Sequence, residues 1–151
     1  MEEEDFRERY RIAERHVVRR YGIPVVITDV LDPNTGTIDG ERIEIDYDQT
    51  ADTALFVLCH LFGHTAQWAT SSYYRSLARM KIEKPGEALL SKVKAYERRA
   101  SRMGLQLLHE AGIRDLDAWL SDWADADFRY LKHVYFTGEV GNPRRFLRPG
   151  A

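Results

Sequence analysis

The stretch that decides the fold spans residues 54–64 and reads ALFVLCHLFGH. Residues 54–62 are apolar all the way round a helix except at His60, a pattern typical of a helix that is buried on every side. Thr50 precedes them and has the side-chain oxygen that commonly caps a helix N-terminus. We therefore predict a central, buried helix from about residue 50 to residue 70.

Two histidines in this helix, His60 and His64, lie four residues apart. Side chains at that spacing are one helical turn apart on the same face, so both imidazoles can reach one metal ion. The apolar centre of a helix is also a costly place for imidazole groups unless they are hydrogen-bonded or bound to metal. The spacing alone is not specific in a chain with five histidines. A pair of core histidines that donate to backbone carbonyls stays open as the alternative.

A third metal ligand is expected from a long helix that the sequence predicts from about residue 85 to residue 111. Glu97 lies at the border of the buried face of that helix. Small residues follow it and would let the helix approach the histidine helix closely: Ala100, Ser101 and Gly104. Two histidines and a glutamate with one open position form a common catalytic zinc set. The alternative for Glu97 is a solvated carboxylate paired with a neighbouring arginine.

These motifs together resemble the ImmA/IrrE family of gluzincin metallopeptidases, over about residues 10–108. The family has a small sheet edged by an Ile-x-Ile strand, then a helix with a His-Glu-x-Gly-His motif, then a helix with Glu-x-x-Ala. Residues 60–64 read HLFGH here, and residues 97–100 read ERRA. The resemblance implies a zincin-like fold in which His60, His64 and Glu97 hold a zinc ion.

Two positions depart from the family pattern. Leu61 stands where the family has its general-base glutamate, and Ser101 replaces an Asn or Asp that supports a ligand histidine. Positioned acid–base catalysis contributes roughly 10²–10⁴-fold to a rate, and leucine cannot supply it. We therefore assign no catalytic residue and expect a degenerate peptidase site, with the HExxH motif reduced to HLFGH, in a non-catalytic or regulatory module that binds a protein or peptide partner.

The sequence leaves two other functions open. One is an active metal-dependent hydrolase or peptidase that uses another base, and the sequence offers Glu44, Asp46 and Glu87 without favouring any of them. The other is a purely structural helical domain with no metal.

The N-terminal part of the chain predicts one helix and a small sheet. Apolar residues recur at helical spacing over residues 2–21, and Gly22 follows as a stop. Residues 24–31 are β-branched and predict a strand, residues 32–36 predict a turn, and Asp39-Gly40 predicts a tight turn before a strand with alternating isoleucines. We expect these strands to form a small antiparallel sheet.

The C-terminal part predicts a mixed connector over residues 71–84, the long helix that carries Glu97, and a last helix over about residues 115–136. The tail, residues 138–151, is rich in glycine, proline and arginine and is predicted to be loosely ordered. With no linker composition or repeat, residues 1–151 are expected to form a single zincin-like α+β domain with about four helices.

Composition excludes several function classes. The formal net charge of −2 gives no general signal for nucleic-acid binding. The single cysteine, Cys59, excludes an internal disulfide and fits a reducing compartment, and we interpret it as a small core residue. The charged N-terminus has no secretory h-region, and the longest apolar stretch is too short to span a bilayer. We therefore expect a cytoplasmic protein without membrane contact.

Overall fold

The computed structural model describes residues 1–30 and 35–148. It has the α+β fold class that the sequence predicts, with five α-helices and one three-stranded sheet in those residues. The elements in chain order are α1 (Glu3–Tyr21), β1 (Val25–Thr28), β2 (Gly36–Ile38), β3 (Ile43–Asp46), α2 (Ala51–Thr70), α3 (Ser72–Arg79), α4 (Glu87–Glu110), α5 (Asp117–Thr137) and a short 3-10 helix (Pro143–Phe146). None of these helices is long and apolar enough to cross a membrane.

The sheet has the strand order β1-β3-β2 and is mixed. The predicted antiparallel pair is present, since β2 and β3 form a hairpin in which Asp39 Oδ1 accepts from the backbone N–H groups of residues 41 and 42. The other pair differs from the prediction of an antiparallel sheet, because β1 runs parallel to β3. The physical reason is that the chain reverses between β1 and β2 and again between β2 and β3, so β3 runs in the direction of β1. The two fully buried isoleucines of β3, Ile43 and Ile45, account for its central place over α2. Residues 32–34 of the turn predicted at residues 32–36 lie outside the described residues.

Helix α2 forms the centre of the core. Its apolar side chains pack against α1, β3 and α4, and the main core cluster includes residues from each of these elements: Ala13, Val17, Ile43, Ile45, Leu55, Leu58, Leu107 and Leu108. Full burial of one leucine or isoleucine contributes roughly 1.5–3 kcal/mol. The prediction of a central, buried helix around residues 54–62 is therefore confirmed.

Helices α2 and α4 approach each other closely at two glycines. A Cβ atom on Gly63 would lie 2.2 Å from the carbonyl oxygen of Ala100, and one on Gly104 would lie 2.9 Å from the carbonyl oxygen of Cys59. No other residue type leaves space for these contacts. The close approach predicted from Ala100 and Gly104 is confirmed, and it brings the Glu97 turn of α4 next to the histidines of α2.

Helix α5 and the tail cover one side of α2. Trp123 of α5 is buried and stacks on Phe56 of α2, with ring centroids 4.8 Å apart. Within the tail, Arg144 of the 3-10 helix forms a 2.8 Å ion pair with Asp52 in the first turn of α2. Arg129 of α5 donates to the carbonyl of Phe146. These contacts hold residues 143–146 against α2 and α5.

Candidate metal centre

The three predicted ligands lie together in the structure. His60 and His64 project from one face of α2, and Glu97 reaches them from α4. His64 Nε2 lies 3.1 Å from His60 Nε2 and 3.0 Å from Glu97 Oε2, and His60 Nε2 lies 3.4 Å from the same oxygen. One ligand atom from each residue therefore falls within 4.8 Å of the others, and the cluster could hold a metal ion.

These separations fit a small tetrahedral ion. Ligand atoms at 2.0–2.1 Å from a tetrahedral zinc ion are about 3.3 Å apart, close to the distances between the three side chains. The two other roles considered for these side chains, histidines that donate to backbone carbonyls and a Glu97 paired with arginine, are not seen among the contacts of the described residues. Neither histidine donates to a backbone carbonyl, and Glu97 forms its ion pairs with the histidines and not with the adjacent arginines.

Gln67 fixes the tautomer that His64 needs for metal binding. Its amide Nε2 donates to the backbone carbonyl of Tyr96 at 2.9 Å, which places Oε1 toward His64. Nδ1 of His64 lies 2.8 Å from that oxygen, and because a carbonyl oxygen only accepts, Nδ1 must carry a proton. The lone pair of neutral His64 is then on Nε2, which faces the cluster. Such partners of a ligand histidine orient the ring and tune its affinity for the metal.

The two ring nitrogens of His60 have different surroundings. His60 Nδ1 is buried and has no hydrogen-bond partner among the described residues, while the ring stacks on Phe56 with centroids 5.4 Å apart. Its other nitrogen, Nε2, faces His64 and Glu97. A buried imidazole nitrogen without a partner is costly, and a metal bond at Nε2 would stabilise the ring without supplying a partner for Nδ1.

Burial and mutual contact determine the charges of the metal-free cluster. Burial lowers the pKa of His60 to about 4, and the charge of His64 adds to the effect. Burial would also lower the pKa of His64, but the negative charge and hydrogen bond of Glu97 outweigh it and raise that pKa. Burial would raise the pKa of Glu97, yet the charge of His64 holds it below its usual value. Both shifts favour the charged forms of His64 and Glu97, and a metal ion would compete with the proton on His64.

Asp127 of α5 is a fourth side chain at the candidate metal centre, and it is not among the residues predicted from the sequence. Its Oδ2 lies 3.6 Å from His60 Nε2, and its side chain is 12 % exposed. Burial raises the pKa of Asp127 to about 8, and the negative charge of Glu97 contributes to the rise. The available signal was its position four residues after Trp123 in the apolar stripe of α5, where a carboxylate is costly without a partner.

Position 61 faces the same side of the centre as Asp127. Leu61 is half-buried, and together with His60 and Asp127 it lines a cavity of about 240 Å³ between α2 and α5. A Cβ on Gly36 of β2 would lie 2.9 Å from Leu61 Cδ1, so the leucine packs against the edge strand. The resembled family has its glutamate on this side of the site. Here position 61 is apolar, and the carboxylate on this side is that of Asp127 from α5.

The three substitute bases suggested by the sequence do not border this cavity. Glu44 forms an ion pair with Arg42, and Asp46 accepts a hydrogen bond from the backbone N–H of Val30. Glu87 is exposed in the first turn of α4. Among the described residues, Asp127 is the carboxylate outside the cluster that lies next to a candidate ligand.

Two further cavities adjoin the centre. A cleft of about 510 Å³ between α4 and α5 reaches His60, Glu97 and Asp127. A cavity of about 230 Å³ on the α3 side is lined by His64, Glu97 and Trp68. The candidate metal centre is therefore buried at its ligand atoms and reachable from more than one side.

No family model, curated protein or solved structure matches the chain. The fold and the site define a class: an α+β protein whose central helix and a neighbouring helix bring two histidines and a glutamate into a cluster that could hold a metal ion.

Proposed function

We propose that this protein binds one zinc ion through His60, His64 and Glu97 in a zincin-like site of the ImmA/IrrE type, and that it works as a non-catalytic module which binds a protein or peptide partner. The observation that carries the proposal is the convergence of His60 Nε2, His64 Nε2 and Glu97 Oε2 at 3.0–3.4 Å from one another. The zinc would hold α2 and α4 in a fixed relation.

The donor set supports zinc. Two imidazole nitrogens and one carboxylate oxygen suit zinc, whereas calcium and magnesium favour ligand sets made of oxygen. The charge of the site supports a divalent cation, because two buried carboxylates, Glu97 and Asp127, lie beside two histidines. Buried charges are normally paired or bound to metal, and a nearby dication would favour the charged form of Asp127 as well as that of Glu97.

The absence of catalysis is proposed from position 61. A leucine that packs against β2 offers no proton acceptor on the side of the site that the family uses for its general base. The cleft between α4 and α5 remains open to the centre, so that it can serve for recognition. A bound zinc ion would supply Lewis acidity, and His60, His64 and Glu97 would position it.

A second candidate function has one specific observation in its favour. Asp127 lines the same 240 Å³ cavity as Leu61 and lies 3.6 Å from His60 Nε2. In its ionised form, the carboxylate could accept a proton at Oδ2 beside the metal ligands and so replace the missing base. This candidate is a metal-dependent hydrolase or peptidase in which Asp127 is the proton acceptor.

Metal analysis tests the first proposal. Elemental analysis of untagged protein should find about one zinc per chain, and His60→Ala or Glu97→Ala should reduce it strongly. Added zinc should raise the Tm of wild type, because a ligand that binds only the folded state stabilises it. His16→Ala is the control, since His16 on α1 pairs with Glu110 away from the cluster. No bound zinc together with no thermal shift would refute the site.

A hydrolysis assay separates the two functions. The non-catalytic proposal expects no cleavage of a broad peptide mixture by zinc-loaded wild type. The hydrolase candidate expects cleavage that a chelator stops and that Asp127→Asn abolishes while zinc content stays at the wild-type level. His64→Ala serves as the blank for contaminating peptidases.

A further inference from the structure

The cleft between α4 and α5 has strongly basic walls. Three basic residues of α4 line it, Lys94, Arg98 and Arg102, and two of α5 face them, Arg129 and Lys132. The three on α4 follow each other at intervals of four residues, so they form one stripe along the helix. All three are exposed on the cleft side of the candidate metal centre.

The acidic side chains that line the cleft already have partners. Asp125 forms ion pairs with Arg129 at 3.0 Å and with Arg148 at 3.6 Å, and Asp117 pairs with His109 at 2.8 Å. The other two carboxylates, Glu97 and Asp127, lie at the floor against the histidines.

By contrast, four basic residues of the cleft have no acidic partner within 4.0 Å among residues 1–30 and 35–148: Lys94, Arg98, Arg102 and Lys132. Lys94 instead lies over the ring of Phe128, 5.9 Å from its centroid. The walls therefore carry uncompensated positive charge above the candidate metal centre.

Folding does not explain the stripe on α4. Like charges four residues apart on a helix repel each other and weaken it. The stripe also borders a cleft with room for a ligand. An anion bound there would attract each of the three basic side chains and offset the repulsion between them. Charge complementarity thus indicates an anionic occupant.

The spacing of the stripe indicates the shape of that occupant. Successive basic residues on α4 are about 6 Å apart along the helix axis, since four residues rise 1.5 Å each. Alternate side chains of an extended peptide are about 6.6–6.8 Å apart and point to one side. Three acidic residues at alternating positions can therefore meet Lys94, Arg98 and Arg102 together.

We propose that this cleft binds an extended acidic segment of a partner protein, with Asp or Glu at alternating positions. The proposal rests on the proposed function and names the chemistry of its partner. Apolar side chains at the cleft wall, Leu105, Leu120 and Phe128, face the space between the charged groups. They provide contacts for the remaining peptide side chains.

Peptide binding tests the proposal directly. A fluorescein-labelled peptide with five glutamates at alternating positions, separated by Ala and Ser, is titrated with zinc-loaded protein and followed by anisotropy. It should bind at least about threefold more tightly than a peptide of the same composition with its glutamates in one block, and binding should weaken with salt. Equal affinity for both peptides, or tighter binding of a single-stranded oligonucleotide of equal charge, would overturn the proposal.

A matched pair of variants locates the binding site. Arg98→Glu/Arg102→Glu should weaken binding of the alternating peptide by about tenfold or more, because both changes put negative charge in the cleft. Lys92→Glu/Arg99→Glu changes the charge equally on the same helix, but these two exposed residues line none of the cavities described above. Its binding should stay within about twofold of wild type. Equal losses in the two variants would refute the cleft as the site.

Zinc content and circular dichroism of the same samples separate this proposal from the proposed metal site. Zinc-loaded, folded wild type that binds no alternating peptide refutes the acidic partner and leaves the metal site standing. Zinc-free protein that binds the peptide and loses binding in the cleft variant refutes the metal site and supports the cleft.

Discussion

His64 and Gln67 form a buried hydrogen bond of 2.8 Å between Nδ1 and Oε1, and this bond determines which nitrogen of His64 faces the candidate metal centre. The amide of Gln67 cannot turn over without losing its bond to the Tyr96 carbonyl. One helical turn of α2 therefore contains both a candidate ligand and the group that orients it, and a residue of α4 fixes that group.

Replacement of Gln67 tests this relationship. Gln67→Leu removes the acceptor for His64 Nδ1 and should weaken zinc binding by about 10–100-fold. The measurement is competition with a chromophoric chelator at constant pH. Gln106→Leu on the exposed face of α4 is the control and should bind zinc like wild type. An affinity of Gln67→Leu equal to that of the control would mean that the hydrogen bond has no role at the site.

The close approach of α2 and α4 should make Gly63 sensitive to a single methyl group. Gly63→Ala places a Cβ 2.2 Å from the Ala100 carbonyl oxygen, so the helices must separate. We expect a loss of about 1–3 kcal/mol in the free energy of unfolding, measured by urea denaturation, and weaker zinc binding because Glu97 moves with α4. Gly141→Ala is the control, since the nearest atom to its Cβ would be at an ordinary 3.6 Å. Equal stability of the two variants would contradict the described packing.

If the non-catalytic proposal holds, Leu61→Glu should give the protein a weak peptidase activity that wild type lacks. The new carboxylate would enter the cavity that Leu61 shares with His60 and Asp127, on the side expected for a general base. It would also add a third carboxylate to a confined space, so the variant should be less stable than wild type. Hydrolysis is followed with a peptide mixture, with and without chelator. Chelator-sensitive cleavage by wild type that disappears in His64→Ala would contradict the non-catalytic proposal.

The ion pair between Arg144 and Asp52 should give the tail a pH-dependent contribution to stability. Burial would raise the pKa of Asp52, but hydrogen bonds from Thr50 and Arg144 and the charge of Arg144 hold it below its usual value. A carboxylate with a lowered folded pKa stabilises the fold above its unfolded pKa, about 3.9, and this contribution is lost as the pH falls through the folded value.

Arg144→Ala should therefore lower the free energy of unfolding by about 0.5–1 kcal/mol at pH 7, and by less at pH 3. Urea denaturation of wild type and variant at both pH values measures the difference. Arg148→Ala, which loses a more exposed pair with Asp125 at 3.6 Å, is the control. A deficit in Arg144→Ala that is equal at pH 7 and pH 3 would show that Asp52 is not the partner.

Much of the fold was predictable from local patterns in the sequence. The apolar run before His60 predicted the buried central helix, and the spacing of His60 and His64 predicted that they share one face of it. Small residues after Glu97 predicted the close contact of α2 and α4, which places Glu97 at the histidines. These predictions succeeded because they depend on local sequence alone. Helix periodicity and the size of a side chain can both be read from residues that are close together in the chain.

Other features depended on contacts between residues far apart in the chain. The parallel pairing of β1 with β3 arises because β3 lies between β1 and β2, and no turn residue encodes that placement. Asp127 reaches the candidate metal centre only because α5 packs across α2. In the chain it lies 67 residues after His60. Gln67 acquires its role from the Tyr96 carbonyl on another helix. The sequence by itself determined the helices and the candidate ligands, whereas tertiary packing decided which polar groups surround them, because those contacts exist only after the helices have docked.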